Sequence, residues 1–251
     1  MIIAPDNAKL KRVRHLLTSA SYRKQTNLYV LEHPSAIQDL IKFDPALIEF
    51  ILHRESVSFS CPEVAAYSVD DGLFNKLTAL KTSPGILAVV KKRLFDPIKV
   101  IAAGRCFVFL DGVSDPINMG AIIRNAAAFT IDAIFCAPGC VDPFHPESVR
   151  AAAGNLFQIP ILPFDQAYWR FFPQGSVYGL DAQAKISIKD CSFAARTLFV
   201  FGAEGAGITS LDSAEVPVTY IRIPISEGVE SLNVAVSTGI VFYMYCRRID
   251  A

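Results

Sequence analysis

The chain has 251 residues, 52% hydrophobic and 19% charged, a composition that excludes an intrinsically disordered polymer and suffices for one large core or two modest ones. Its 24 Lys and Arg balance 24 Asp and Glu, and its apolar runs, such as Cys106–Leu110 and Leu198–Phe201, are far too short to cross a bilayer. The six cysteines are scattered without a C-x-x-C pair, which argues against a metal site, and the start of the chain has no signal-peptide pattern, so a cytoplasmic location is expected.

In chain order, Ala8–Leu17 reads as an amphipathic helix with Leu10, Val13 and Leu17 inward and its cations outward. Leu28–Leu31 is a strand, Ala36–Ile41 a helix, Ile48–Leu52 a strand, Asp71–Ala79 a helix and Gly85–Val90 a buried strand. Lys91–Arg93, Asp96-Pro97 and Ala102–Gly104 then read as a linker. Beyond it, apolar strands recur at Phe107–Leu110, Ala133–Cys136, Phe157–Ile161, Val177–Leu180, Leu198–Phe201 and Val218–Ile223. Helices at Ala121–Phe129 and Leu232–Tyr245 fall among them, the pattern of an α/β domain around a mostly parallel sheet. The expected layout is therefore a first domain over residues 1–93, a linker over 94–105 and a second domain over 106–251.

Charge divides along the same line. Residues 1–105 carry 15 Lys and Arg against 10 Asp and Glu, whereas residues 106–251 carry 9 against 14. Between Asn7 and Asn27, Lys9, Lys11, Arg12, Arg14, Arg23 and Lys24 occur with no acidic residue, a patch able to attract the phosphates of a nucleic acid or to form a plain solvated face.

Three polar loops of the second half follow apolar strands, so they share the carboxyl edge of one sheet, where ligands bind in such folds. In Asp115–Arg124 a helix begins near Asn118, and Gly120 and Arg124 are one turn apart on one face, so a guanidinium stands where it could fork onto a phosphate. Phe201–Ile208 (FGAEGAGI) carries three glycines in six residues, suited to backbone wrapping closely around a nucleoside, yet it is neither a P-loop nor a G-x-G-x-x-G turn. Ile223–Val234 (IPISEGVESLNV) ends a strand and opens a helix, with Ser231 at the expected N-cap. Taken singly, these are equally readable as a helix cap, a glycine turn and a loop closure. The four histidines have no nucleophile motif near them, which excludes hydrolase chemistry of the G-x-S-x-G type.

Taken together, the phrases DPINMGAIIRNAAAF, FVFGAEGAGI and IPISEGVESLNVAVS, with VRAAAGNLFQIP between them, resemble the signature motifs of the SpoU-type (TrmH-like) RNA ribose 2′-O-methyltransferases of the SPOUT class. In the front half, LYVLEHPSAIQDLI and LTALKTSPGILAVV are similar to that family's small substrate-binding module, an α/β fold like a ribosomal protein. The resemblance implies a trefoil-knotted, mostly parallel sheet with helices on both faces. It also implies S-adenosylmethionine held by Gly202, Glu204, Gly207, Ile223, Leu232 and Asn233.

The chemistry it implies is methylation of a ribose 2′-hydroxyl in structured RNA, ribosomal RNA first and transfer RNA second, by a homodimer. The catalytic positions are Arg124, Asn118, Glu204, Ser231 and Asn233. Because a guanidinium stays protonated, the role expected of Arg124 is to grip a phosphate and stabilise negative charge on the 2′-oxygen. Arg12, Arg14, Arg23 and Lys24 are the expected RNA contacts, with Tyr22 and Tyr29 as candidates to stack on a base. The rival reading is a non-catalytic RNA-binding protein that retains the fold.

Overall fold

The computed structural model describes residues 4–78, 83–205, 207–209 and 216–249. In chain order its elements are α1 (Ala8–Thr18), α2 (Ala20–Thr26), β1 (Leu28–Leu31), α3 (Pro34–Phe43), β2 (Ile48–Arg54), β3 (Ala66–Val69), α4 (Asp71–Asn75) and β4 (Ile86–Lys91). There follow α5 (Pro97–Ala103), β5 (Cys106–Asp111), α6 (Pro116–Ala128), β6 (Ala133–Cys136), α7 (Pro146–Ala151), β7 (Ile161–Pro163), β8 (Val177–Leu180), β9 (Ile186–Ser187), β10 (Thr197–Gly202), β11 (Val218–Arg222) and α8 (Val234–Ile249). They form two compact units, residues 1–94 with 142–157 and residues 95–141 with 158–251.

The first unit is built on a four-stranded sheet in the order β1-β4-β2-β3, antiparallel except for the β2–β3 pair. Its core joins Leu10, Val13 and Leu16 of α1 to Leu28, Phe50, Leu87 and Val89. Leu16 takes the core position expected of Leu17, which packs beside it. Ala79, at the end of the helix expected over Asp71–Ala79, lies outside the described residues, and α4 stops at Asn75.

The Asp142–Phe157 segment belongs to this unit although the sequence places it far downstream. Two contacts fasten it there. Arg23, only 2% exposed, donates from Nε to Asp142 Oδ2 at 2.7 Å and from Nη1 to Leu16 O at 2.7 Å. Tyr29, equally buried, meets Phe144 with ring centroids 5.2 Å apart.

The second unit holds seven strands in the order β7-β6-β5-β10-β8-β11-β9, every pairing parallel. Buried on both faces, the inner strands read as continuous apolar runs, which is why their positions are visible in the sequence. Leu198 and Val200 of β10 pack with Phe107, Phe109, Trp169 and Ile101 of α5 on one face. On the other face, Phe201 meets Phe242 of α8 edge-on at 6.0 Å.

Two expectations are corrected here. The stretch read as linker contains α5, which Asp96 caps by accepting from the backbone N–H groups of Ile98 and Lys99, with Pro97 at its first position. The strand expected at Phe157–Ile161 is a 3-10 turn over Asn155–Phe157 followed by β7, because Pro160 cannot donate to a ladder and interrupts the apolar run.

Candidate functional site

Four strand ends build the site. At the end of β5, Asp111 is 6% exposed, and its Oδ2 accepts from the Thr209 N–H at 2.6 Å and from the Thr209 hydroxyl at 3.3 Å, anchoring the far side of the glycine loop. Asp115 then caps α6, accepting from Ile117 and Asn118 N–H at 2.6 and 3.1 Å. This sets Asn118 in the first turn.

After β10, Ala203 and Gly207 exchange backbone hydrogen bonds of 3.0 Å in both directions, closing a tight hairpin with Glu204 and Gly205 at its tip. The closure requires glycine at position 202: a Cβ there would sit 2.1 Å from the backbone C and O of Gly207. Gly205 and Gly207 adopt φ of 83° and 69°, the left-handed region that glycine enters without strain. Ala206 lies outside the described residues.

The tip carboxylate is held from two directions. Glu204 Oε1 accepts from Asn118 Nδ2 at 2.7 Å and from Asn233 Nδ2 at 3.2 Å, and Asn233 Nδ2 also donates to Asn118 Oδ1 at 2.9 Å. Asn233 Oδ1 in turn accepts from the N–H groups of Ala235 and Val236, so Asn233 caps α8 in place of Ser231, the cap expected from the sequence. One residue from each loop thus meets in a single hydrogen-bonded group. Asn125 adds a brace, donating from α6 to Ala235 O and Thr238 Oγ1 of α8.

Beside this group lies a cavity of about 790 Å³ formed at the ends of β8, β10 and β11. Gly202, Glu204, Gly207, Ile223, Leu232 and Asn233, the positions expected to hold the cofactor, all line it, as does Ser231. Asn118 stands behind the wall at 9% exposure. Arg124 is on the exposed face of α6, outside the cavity lining, and forms no hydrogen bond or ion pair among the described residues. The lining contains Asp181, Glu204 and Glu230 but no Lys or Arg among the described residues. Asp181 was not singled out from the sequence, although its place directly after the apolar run Val177–Leu180 is the signal that marks it.

Of the expected RNA contacts, Lys24 is exposed, Arg14 donates to Pro5 O at 3.1 Å and Arg12 is paired with Glu49. Arg23 is a correction, since its guanidinium is buried on Asp142 and Leu16 and is unavailable to a ligand. Tyr29 is corrected on the same ground. Among the described residues no cluster of three or more His, Cys, Asp and Glu could hold a metal ion, and no helix is long and apolar enough to cross a membrane.

Residues 105–243 match the SpoU rRNA Methylase family. The chain belongs to that family. It is 27% identical over 250 residues to the 23S rRNA (guanosine(2553)-2′-O)-methyltransferase RlmP of Bacillus subtilis (strain 168), covering 96% of this chain and 97% of that protein. It is 30% identical over 173 residues to the 23S rRNA (guanosine-2′-O-)-methyltransferase RlmB of Bordetella pertussis, covering 65% of this chain and 70% of that one. The SpoU methyltransferase AviRb of Streptomyces viridochromogenes, solved in complex with AdoMet, shares the fold with a TM-score of 0.85 at 21% identity, over 98% of this chain and 99% of its own. The fold of this SpoU family member is thus the mixed α/β architecture of the SPOUT methyltransferases, with its parallel sheet flanked by helices, and the chain is an RNA methyltransferase.

Proposed function

We propose that this enzyme methylates a ribose 2′-hydroxyl of ribosomal RNA with S-adenosylmethionine bound in the cavity beside Glu204. The observation that carries the reading is the cavity's charge. Its described lining has three carboxylates and no cation, together with the apolar walls Leu180, Ile208 and Leu232. Such a lining repels a pyrophosphate and favours a nucleoside whose reactive end is a sulfonium cation. The two relatives named for guanosine 2′-O-methylation of 23S rRNA support the choice of substrate.

When bound, the cofactor supplies an electrophilic methyl group with a good leaving group, so positioning accounts for much of the rate. Gly202 and Gly207 let the loop backbone close on the ligand, Leu232 and Ile223 exclude water, and Asn118 and Asn233 fix the carboxylate of Glu204. Arg124 grips the phosphate next to the target ribose and stabilises negative charge developing on the 2′-oxygen. Ser231 lines the same cavity, within reach of the bound ligand.

The first unit is the RNA-docking module in this proposal, with Arg12, Arg14 and Lys24 directed to phosphates. The active form is a homodimer in the cytoplasm: Val236 and Tyr243, each 51% exposed, form with Ile240 an apolar stripe on α8 that a second copy would cover. A trefoil knot belongs to the same proposal. Its support is that β10, late in the sequence, lies between β5 and β8. Calorimetric titration with S-adenosylmethionine tests the cavity assignment; saturable binding that Glu204→Lys abolishes is expected, and no binding would favour a non-catalytic RNA-binding protein.

A further inference from the structure

One cluster of reactive groups is not used by the chemistry above. β6 ends at Cys136, in register with Leu110 of β5. The chain then turns, with Cys140 N–H donating to Ala137 O at 3.3 Å, and returns over the end of β5. There the Cys140 thiol donates to Leu110 O at 3.2 Å. Cys136 and the backbone at Gly112, Val113 and Ala137 lie close enough to the same sulfur to favour its thiolate. The bond from Cys136 lowers the Cys140 pKa most, burial opposes it, and the three amides lower it further, to about 7. Asp111 of the same loop accepts from the Thr209 N–H. Burial raises the thiol pKa at Cys61 and Cys106.

The turn is laced to the loop that carries the first motif. Ala137 N–H donates to Leu110 O and Val141 N–H to Val113 O, both at 2.9 Å. Two residues beyond Val113, Asp115 caps the helix bearing Asn118 and Arg124. The covalent state of Cys140 therefore bears on the base of that helix.

We propose that Cys136 and Cys140 are a dithiol switch, oxidised reversibly by a low-molecular-weight disulfide, whose closure loosens residues 111–115 and slows methyl transfer. The effect on transfer rests on the methyltransferase reading above; the disulfide does not. In the first step the Cys140 thiolate attacks one sulfur of the external disulfide, whose S–S bond breaks and expels a thiolate. Cys136 then loses its proton to solvent and attacks the mixed-disulfide sulfur of Cys140, releasing the second thiol. The pair is oxidised by two electrons and the external disulfide is reduced to two thiols. Closure removes the S–H donor from Leu110 O and the negative charge from the three amides, so residues 110–113 lose their contacts to sulfur.

The test incubates the reduced full-length protein with oxidised glutathione at neutral pH, followed by trypsin and mass analysis of the peptide 125–150. That peptide should lose two hydrogens, retain no glutathione and revert on reduction. In Cys136→Ser, glutathione should stay on Cys140. Transfer by the oxidised protein should fall about fivefold, a disturbance on the order of one stabilising contact, while the Cys136→Ser, Cys140→Ser double variant keeps its own reduced-state rate under oxidation. Glutathione retained on Cys140 in the unaltered chain, or an unmodified peptide beside a modified Cys61, would overturn the disulfide. A closed disulfide with undiminished transfer would overturn the switch. Should the reduced protein itself show no transfer, the failure lies with the methyltransferase reading, and the mass result still decides the disulfide.

Discussion

Asn118 donates its side-chain amide to Glu204 Oε1 at 2.7 Å across 86 residues of sequence, and Asn233 joins both. The helix start, the glycine hairpin and the α8 cap are therefore coupled through one carboxylate. Asn118→Ala and Asn233→Ala should each weaken binding of S-adenosylmethionine, and the double variant should lose less than the sum. The expected coupling is about 1 kcal/mol, obtained from a calorimetric double-mutant cycle. Strict additivity would show that the three side chains act separately.

Gly202→Ala puts a methyl group where the backbone of Gly207 already stands. Backbone cannot yield as a side-chain tip can, so the hairpin must open and the cavity wall with it. Affinity for the cofactor should drop by about tenfold or more, on the order of 1.4 kcal/mol. At Gly205 the added Cβ meets nothing within 4 Å, and only its φ of 83° resists substitution. Gly205→Ala should therefore be the milder change in the same titration. An unchanged Kd for Gly202→Ala would contradict the geometry.

Arg23 and Asp142 form a pair whose side chains are 2% and 22% exposed. Removing one partner leaves the other charge poorly solvated, so Asp142→Ala should destabilise the protein by about 3 kcal/mol in denaturant or thermal unfolding. Lys24→Ala should leave stability within about 0.5 kcal/mol, as surface changes do, while weakening RNA binding and its salt dependence. If Arg23→Ala lowered RNA affinity with no loss of stability, Arg23 would have to be returned to the RNA-contact set.

These residues also show where the sequence is readable. The strands β1, β6 and β8 coincide with the apolar runs Leu28–Leu31, Ala133–Cys136 and Val177–Leu180, because buried strands carry their signal in every residue. All six expected cavity residues line one cavity because the two loops that carry them share an edge of a parallel sheet. Charge was less informative. Arg23 looks like the other cations of its segment, and only a carboxylate 119 residues away reveals that it is a core member. The helix α2, rich in polar residues, has no apolar periodicity to display, and the two-residue β9 is too short to have any. The brace from Asn125 depends on neighbours that single motifs do not contain.

The redox pair adds a condition to handling. Alkylation of Cys140 by iodoacetamide should follow a thiolate fraction with a midpoint at about 7, because its hydrogen bonds favour the charged form. Loss of the Cys136 donor removes the largest favourable contribution, so Cys136→Ala should move the midpoint upward. A midpoint at the ordinary thiol value in the unaltered chain would contradict that arrangement.

The central claim is methyl transfer to a ribose oxygen, and Arg124 tests it most directly because it lies outside the cavity lining. The measurement is transfer from methyl-labelled S-adenosylmethionine to unmodified ribosomal RNA, digested to nucleosides, for the unaltered chain and for Arg124→Ala. The expected product is a labelled 2′-O-methylnucleoside, reduced about 100-fold or more in the variant while cofactor affinity stays within about twofold. Label on a base, or an Arg124→Ala variant that transfers at full rate, would contradict the account.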